Sequence, residues 1–400
     1  MSVAPTKADL PARLTGHQPG LDGVRGVAIL MVMAIHFVGD ATARTSLQAL
    51  VVKAAGYGLL GVDLFFVLSG FLITGILLES KNGPNYFRNF YARRTLRIFP
   101  LYYGVLAVLF LLIPLAVPLS PLFEQARDHQ GWLWTYTANF YVAYTASWSS
   151  LTYVTHFWSL AIEEHFYLLW PLVVFTLRRE TLERVSLCII AAGLALRVGL
   201  ALAGVSEISI SVLTPCRIDT LAVGGLLAIV AQREGGPKML LGMCGKAALA
   251  LGAAIIVLSA FGALTHAGLP VLHQIRNSLY AFFFGALTLL SLRPRTELVA
   301  RVFRIGVLRF FGKYSYGLYV YHALLTWYFF ESGTEARLDA LLGNHWLTIV
   351  VKAAIGVSLS VAVAVLSYEL FEKRFLALKR FFEAKPAPAA ARGMSATNVV

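Results

Sequence analysis

The sequence predicts an all-α polytopic membrane protein, a bundle of about ten transmembrane helices with both termini in the cytoplasm. Three observations predict it. Of its 400 residues 58% are hydrophobic and only 14% charged, with a mean hydropathy of +0.69, far from the make-up of a soluble domain. Ten apolar stretches of helix length recur along the chain. The Lys and Arg residues, finally, gather on one side of those stretches.

The stretches run over approximately 22–39, 57–78, 100–118, 157–177, 186–204, 213–231, 245–264, 272–292, 308–330 and 347–371. The first, "LDGVRGVAILMVMAIHF" followed by "ATA" at 41–43, has the outline of a cleavable signal. It is read as a retained span, because cleavage would discard His36 and leave nine helices. The second, "GVDLFFVLSGFL", is apolar but for Asp63 and Ser69. The third follows "YARRTLRIFPLYY", where Pro100 is expected to set the helix start. The fourth contains "HFWSLAIEEHFYLLWPL", the sixth opens with "TPCRIDTLAVGG", and the eighth with "HQIRNSLY". The seventh has no charge after Lys246 and is expected to face lipid, while the ninth carries "KYSYGLYVYH". Residues 119–156, rich in Trp and Tyr, read as a belt lying along the membrane surface. The organisation expected is a cytoplasmic segment 1–17, a transmembrane domain 18–375 and a Pro/Ala-rich, disordered cytoplasmic tail 376–400.

The formal net charge of +13 invites a nucleic-acid reading, which its distribution refutes. With ten spans both termini share a side, and the segments there hold 24 of the 34 Lys and Arg residues. The opposite loops hold four, Arg44, Lys53, Arg127 and Arg337, and six lie within spans. That is the positive-inside signature, which places both termini in the cytoplasm. The three cysteines, Cys188, Cys216 and Cys244, form no CxxC pair, so neither a disulfide framework nor a metal motif is read.

Orientation gives depth. Arg25 and His36 are eleven residues apart on the first span. At 3.6 residues per turn they share a face, about 16 Å apart along the axis. The plain alternative is a snorkelling arginine and a hydrogen-bonded core histidine. His36, Asp63, Glu163, Arg217, Asp219, Arg276 and His322 all fall in the outer half of six different spans. Ionisable groups at membrane depth usually face a bundle interior, so a polar cavity is expected there. Arg217 and Asp219, two apart, cannot share a helix face, and each needs a partner elsewhere; a structural ion pair is the competing reading for both. Glu163 beside Glu164 offers a carboxylate that can reach a histidine. On the inner side Arg93, Arg94 and Arg97 crowd together, with Arg94 and Arg97 on one face. The positive-inside rule explains such crowding too, but two guanidiniums suit bidentate phosphate binding.

These motifs together resemble the acyltransferase family 3 membrane proteins, of the O-antigen and exopolysaccharide O-acetylase type. The resemblance rests on "LDGVRGVAILMVMAIHF", "GVDLFFVLSGFLIT", "YARRTLRIFPLYY", "HFWSLAIEEHFYLLWPL", "RIDTLAVGGLLA", "YSYGLYVYHA" and "SYELFEKRF" in that order, over roughly residues 18–375. Arg374 stands where the family often has Pro. The resemblance implies transfer of an acyl group, acetyl foremost, from cytoplasmic acyl-CoA to a hydroxyl of a glycan or lipid-linked sugar at the outer face. It implies a bacterial cytoplasmic membrane, no bound cofactor or metal, and acyl-CoA as co-substrate. By resemblance His36 is the essential histidine, acting as general base or transient acyl acceptor. Arg25, Arg94 and Arg97 hold the CoA phosphates, and Glu163 is the motif glutamate, expected to orient the imidazole. Asp63, Arg217, Asp219, Tyr319 and His322 are expected on the acceptor side or in support. Some relatives carry an appended extracytoplasmic domain; without one, direct delivery to the acceptor is expected. The rival class is a secondary transporter with a buried polar cavity, but no self-similarity links residues 1–200 to 201–400. A third is a non-catalytic membrane scaffold or sensor, which predicts that His36 and Glu163 tolerate substitution.

Overall fold

The computed structural model describes residues 18–116, 118, 120–264 and 270–382. The expected N-terminal segment 1–17 and residues 383–400 of the expected tail lie outside them. The described residues form helices and connecting turns, with no strand among them. The helices that build the site are α1 (Pro19–Ala34), α2 (Ser46–Gly56), α3 (Leu60–Ser80), α4 (Tyr86–Ala107), α5 (Trp158–Thr176), α6 (Arg179–Leu202) and α7 (Thr214–Ala231). They continue with α8 (Gly236–Leu264), α9 (Pro270–Ser291), α10 (Gly306–Lys313), α11 (Ser315–Glu331), α12 (Thr334–Leu342) and α13 (His345–Ser367).

Among the described residues seven helical stretches are long and apolar enough to cross a membrane: Pro19–Gly39, Ser46–Ser80, Tyr86–Ala116, Arg179–Leu202, Thr214–Ala231, Gly236–Gly262 and His345–Phe382. The fourth, eighth and ninth expected spans form as helices α5, α9 and α11 but are not among the seven. α5 carries Glu163, Glu164 and His165, α9 carries His273 and Arg276, and α11 has 17 residues.

Four expectations are corrected. Pro100 lies inside α4, not at its start; the helix begins at Tyr86 and carries the arginines on a continuous rod. The ninth stretch breaks at Tyr314 into α10 and α11. The tail does not leave the fold at 375, since Lys373–Ala377 and Leu378–Phe382 remain helical. The aromatic segment before α5 is a surface belt only in part, with Trp132, Phe140, Tyr144 and Trp148 exposed. Leu133, Ala138, Val142, Leu151 and Val154 are fully buried, and Tyr136 stacks on Tyr102 of α4 at 4.2 Å between ring centroids. Trp134 and Tyr136 are drawn inward because α4 presents Phe99, Tyr102 and Tyr103 to them.

In lipid, apolar surface gives little drive for helices to associate, so close packing of small residues carries the work. α3 and α7 cross where two glycines face each other's backbone. A Cβ on Gly70 would lie 1.9 Å from the Leu221 carbonyl oxygen, and one on Gly224 2.0 Å from that of Val67. α1 and α10 cross likewise, through Gly26 against Leu308 and Gly312 against Asp22. Three π-helical turns interrupt the rods, at Ile35–Gly39, Val108–Leu112 and Tyr368–Glu372. The first contains His36, and such turns concentrate at functional positions.

Gly224→Ala should therefore push α3 from α7 and cost about 1–3 kcal/mol, the usual range for overpacking. Thermal unfolding of the purified variant in detergent checks this. A melting temperature equal to wild type would show that the two backbones do not meet there.

Candidate active site

One cavity, about 830 Å³ including its open mouth, runs between α1, α3, α4, α5 and α11. Arg25 from α1 and Arg94 and Arg97 from α4 line it, with Ser69, Glu163, Tyr167, Tyr316 and Tyr319. Helical spacing accounts for the grouping. Arg94 and Arg97 are one turn apart, so both face the same space. Their charges bear on Arg25, whose Nη1 donates to Asp22 at 2.8 Å. The Arg94 guanidinium lies 5.3 Å from the centre of the Tyr167 ring, and the Tyr167 hydroxyl shares a 2.5 Å hydrogen bond with Ser69. Glu163 lies beside Ser69, Tyr167 and Arg94. A concave site offering three guanidiniums and one carboxylate suits an anion bound beside a polar reacting group.

Tyr319 closes one end of the cavity. Its hydroxyl donates to the His156 carbonyl oxygen at 2.9 Å and shares a 2.5 Å hydrogen bond with Ser159. Beyond it lies a row of imidazoles. The His156 ring is 5.3 Å from Tyr319 and 5.3 Å from His322, and His322 is 5.1 Å from His36. His322 is fully buried. Its Nδ1 faces the Leu318 and Tyr319 carbonyl oxygens at 3.0 and 2.8 Å. Carbonyl oxygens only accept, so Nδ1 carries the proton and Nε2 is left as an acceptor without a hydrogen-bond partner. His36 is partly exposed, and its Nδ1 lies 3.5 Å from an Asp40 carboxylate oxygen. Among the described residues no group of three or more His, Cys, Asp or Glu side chains is arranged to hold a metal ion.

The sequence-predicted residues thus divide. Arg25, Arg94, Arg97, Glu163 and Tyr319 share the cavity; His36 and His322 share the imidazole row. Glu163 faces the arginines, and the carboxylate beside His36 is that of Asp40. The expected single outer layer of seven charged groups resolves into separate pairs. Arg217 bonds Asp63 at 2.7 Å, linking α7 to α3. Asp219 bonds Arg197 of α6 at 2.6 Å, and Arg197 also donates to the Cys216 carbonyl oxygen and to Ser278 of α9. Arg276 of α9 lies against its own neighbour His273 at 3.1 Å. All four members of the two ion pairs are buried. Sequence reasoning missed His156, Asp40 and Ser159. His156 and Ser159 were readable as parts of the "HFWSL" motif, and Asp40 as the carboxylate one turn after His36.

The fold and this geometry define a multi-pass membrane protein with an arginine-lined cavity leading toward a row of histidines. The sequence model of the acyltransferase domain, family 3, matches residues 18–369, and the chain belongs to that family. It is 27% identical over 375 residues to the peptidoglycan O-acetyltransferase OatA of Listeria monocytogenes serovar 1/2a, covering 88% of this chain and 55% of the relative. It is 28% identical over 329 residues to the O-acetyltransferase OatA of Staphylococcus aureus NCTC 8325, covering 76% and 50%. The chain thus spans about half the length of these relatives. No solved structure matches it.

Removing one partner of a buried pair strands a charge, which costs about 3–5 kcal/mol. Asp63→Asn and Arg217→Met should each lower thermal stability sharply, and the double variant should recover most of the loss. Single variants that melt like wild type would mean the pair is not formed.

Proposed function

We propose that this protein is an integral-membrane O-acyltransferase. It moves an acyl group, acetyl foremost, from cytoplasmic acyl-CoA to a hydroxyl of a glycan or lipid-linked sugar at the outer face of a bacterial cytoplasmic membrane. In this reading α5, α9 and α11 also span, giving ten crossings with both termini inside. The observation that carries it is one cavity holding Arg25, Arg94 and Arg97 and ending at Tyr319, the neighbour of the His156–His322–His36 row. Membership of an acyltransferase family supports it, and two relatives are named O-acetyltransferases, one of peptidoglycan.

The donor phosphates rest on the arginines and the thioester arm reaches past Tyr319. Glu163 balances the charge of Arg94 at the cavity wall. The acceptor arrives from the open side of His36. With Nδ1 turned to Asp40, the free ring nitrogen Nε2 takes the proton of the acceptor hydroxyl. The hydroxyl oxygen forms a bond to the thioester carbonyl carbon, the carbon–sulfur bond breaks, and the imidazolium returns the proton to the departing thiolate. His322, its ring centroid 5.1 Å from that of His36, continues the row with an Nε2 that has no hydrogen-bond partner. A transient acyl-imidazole would use the same atoms in two steps.

His36→Ala should lower transfer by a factor of about 10²–10⁴, the usual contribution of a general base, while leaving insertion and fold intact. Mass spectrometry of surface glycans from a deletion strain complemented with wild type or His36→Ala is the test. An acyl mass step restored only by wild type fits; restoration by both overturns the assignment of His36. Identical glycans in all strains, together with proton-dependent solute flux, would favour a transporter. Arg94→Ala removes a charge-assisted contact of about 1.5–3 kcal/mol and should raise the acetyl-CoA KM roughly tenfold or more. Unchanged donor dependence would remove Arg94 from the donor site.

A further inference from the structure

The C-terminal turn Leu378–Phe382 lies beyond residue 369, where the family match ends. It does not leave the bundle but packs against α4. The Arg88 guanidinium stands 5.6 Å from the centre of the Phe382 ring, and Leu376, just before the turn, lines a small cleft together with Arg97. Lys379 on this turn is half-buried, with the charges of Arg97, Arg94 and Arg93 acting on it. Four cations from two distant parts of the chain are therefore brought together.

Some other basic residues on this side are paired with carboxylates. Arg233 pairs with Glu183, Arg293 with Glu297, and Lys313 and Lys373 with Glu369. Among the described residues no carboxylate is bonded directly to Arg93, Arg94, Arg97 or Lys379, although Glu163 and Glu164 act on Arg94, and Glu372 on Arg97, from farther off. Gathering like charges in a half-buried place is unfavourable unless an anion completes it. One carboxylate, Glu372, faces the adjoining cleft, where it accepts from Ser367 at 3.2 Å, so the cleft itself is not the anion's place.

We propose that Lys379, from outside the family-matched region, is a phosphate-binding residue of the donor site and completes with Arg93, Arg94 and Arg97 a cradle for the phosphate-rich end of CoA. The inference rests on the acyl-CoA reading above. It also places the donor's polarity: phosphates at the Lys379 side, thioester toward Tyr319. A phosphate ester could equally come from an anionic lipid headgroup, so the test separates the two.

The measurement is the Kd of CoA for the full chain in nanodiscs of phosphatidylcholine alone and, in parallel, in nanodiscs that also contain phosphatidylglycerol, for wild type, Lys379→Ala, Lys379→Arg and Arg380→Ala. Arg380 sits on the same turn, over the Phe381 ring. Loss of one charge-assisted phosphate contact predicts about tenfold weaker binding for Lys379→Ala. Lys379→Arg should retain most of the affinity and Arg380→Ala all of it, with melting temperatures unchanged. Equal affinity of Lys379→Ala and wild type overturns the proposal while leaving the donor reading intact. So does an equal loss in Arg380→Ala, which would report general charge only. A loss that appears solely in discs containing phosphatidylglycerol assigns Lys379 to a lipid headgroup and overturns it as well. If wild type fails to bind CoA at all, the donor reading falls first and the proposal with it.

Discussion

Charge cannot be left alone in hydrocarbon, and this constraint is met at α7. Arg217 and Asp219 lie two residues apart and project to different sides of the helix. One holds Asp63 of α3 and the other is held by Arg197 of α6. Arg197 in turn reaches Ser278 of α9. One short stretch of α7 therefore fastens three other helices. The same helix meets α3 through the facing glycines Gly70 and Gly224, so α3 is located by contact and by charge at once. Because α3 supplies Phe65, Ser69 and Ile73 to the cavity wall, the site's shape follows from those bonds. Such pairs add little net stability over apolar packing. Their effect is to make other arrangements of α3, α6, α7 and α9 expensive.

Within that frame the chemistry has two ends and one divider. Cations gather around the cavity mouth, imidazoles gather beyond it, and Tyr319 belongs to both, lining the cavity while bonding Ser159 and the His156 backbone. The proposed reaction, joining substrates from opposite faces of a membrane, would need this arrangement, since an open channel would leak and a sealed wall would not react. The π turn at Ile35–Gly39 is the local device at the histidine end. Widening one turn of helix re-aims the side chains it carries, and it carries His36.

The sequence made the class of fold legible because hydropathy is set by the bilayer, which acts on every span alike. Local spacing read correctly where it constrains directions: Arg94 with Arg97 in one cavity, and Arg217 apart from Asp219 on different partners. It failed where the answer depends on contacts distant in the chain. Nothing local tells that Glu163 faces the arginines while Asp40 stands beside His36. Pro100 reads as a helix start on propensity, but packing of α4 carries the helix through it. The aromatic stretch before α5 has a composition equally suited to a membrane interface and to stacking on Tyr102, and only the partner decides.

The segment after His36 shows how the histidine end is kept open rather than floppy. Asp40 is exposed, and the chain beyond it would be free to swing across the imidazole. It is tied instead to α12 and α13. The Thr42 amide donates to Glu335 at 3.0 Å, and its carbonyl oxygen accepts from His345 at 2.5 Å. Arg44 pairs with Asp339, which also bonds His345 at 2.8 Å, and Lys352 of α13 pairs with Glu335. These partners lie some three hundred residues from Thr42 in the chain, so the tether forms only when the bundle is complete. The opening above His36 is thereby a property of the assembled fold, as is the cation cradle at the opposite end. Both ends use chain segments that come late in the sequence to finish a site begun by α1.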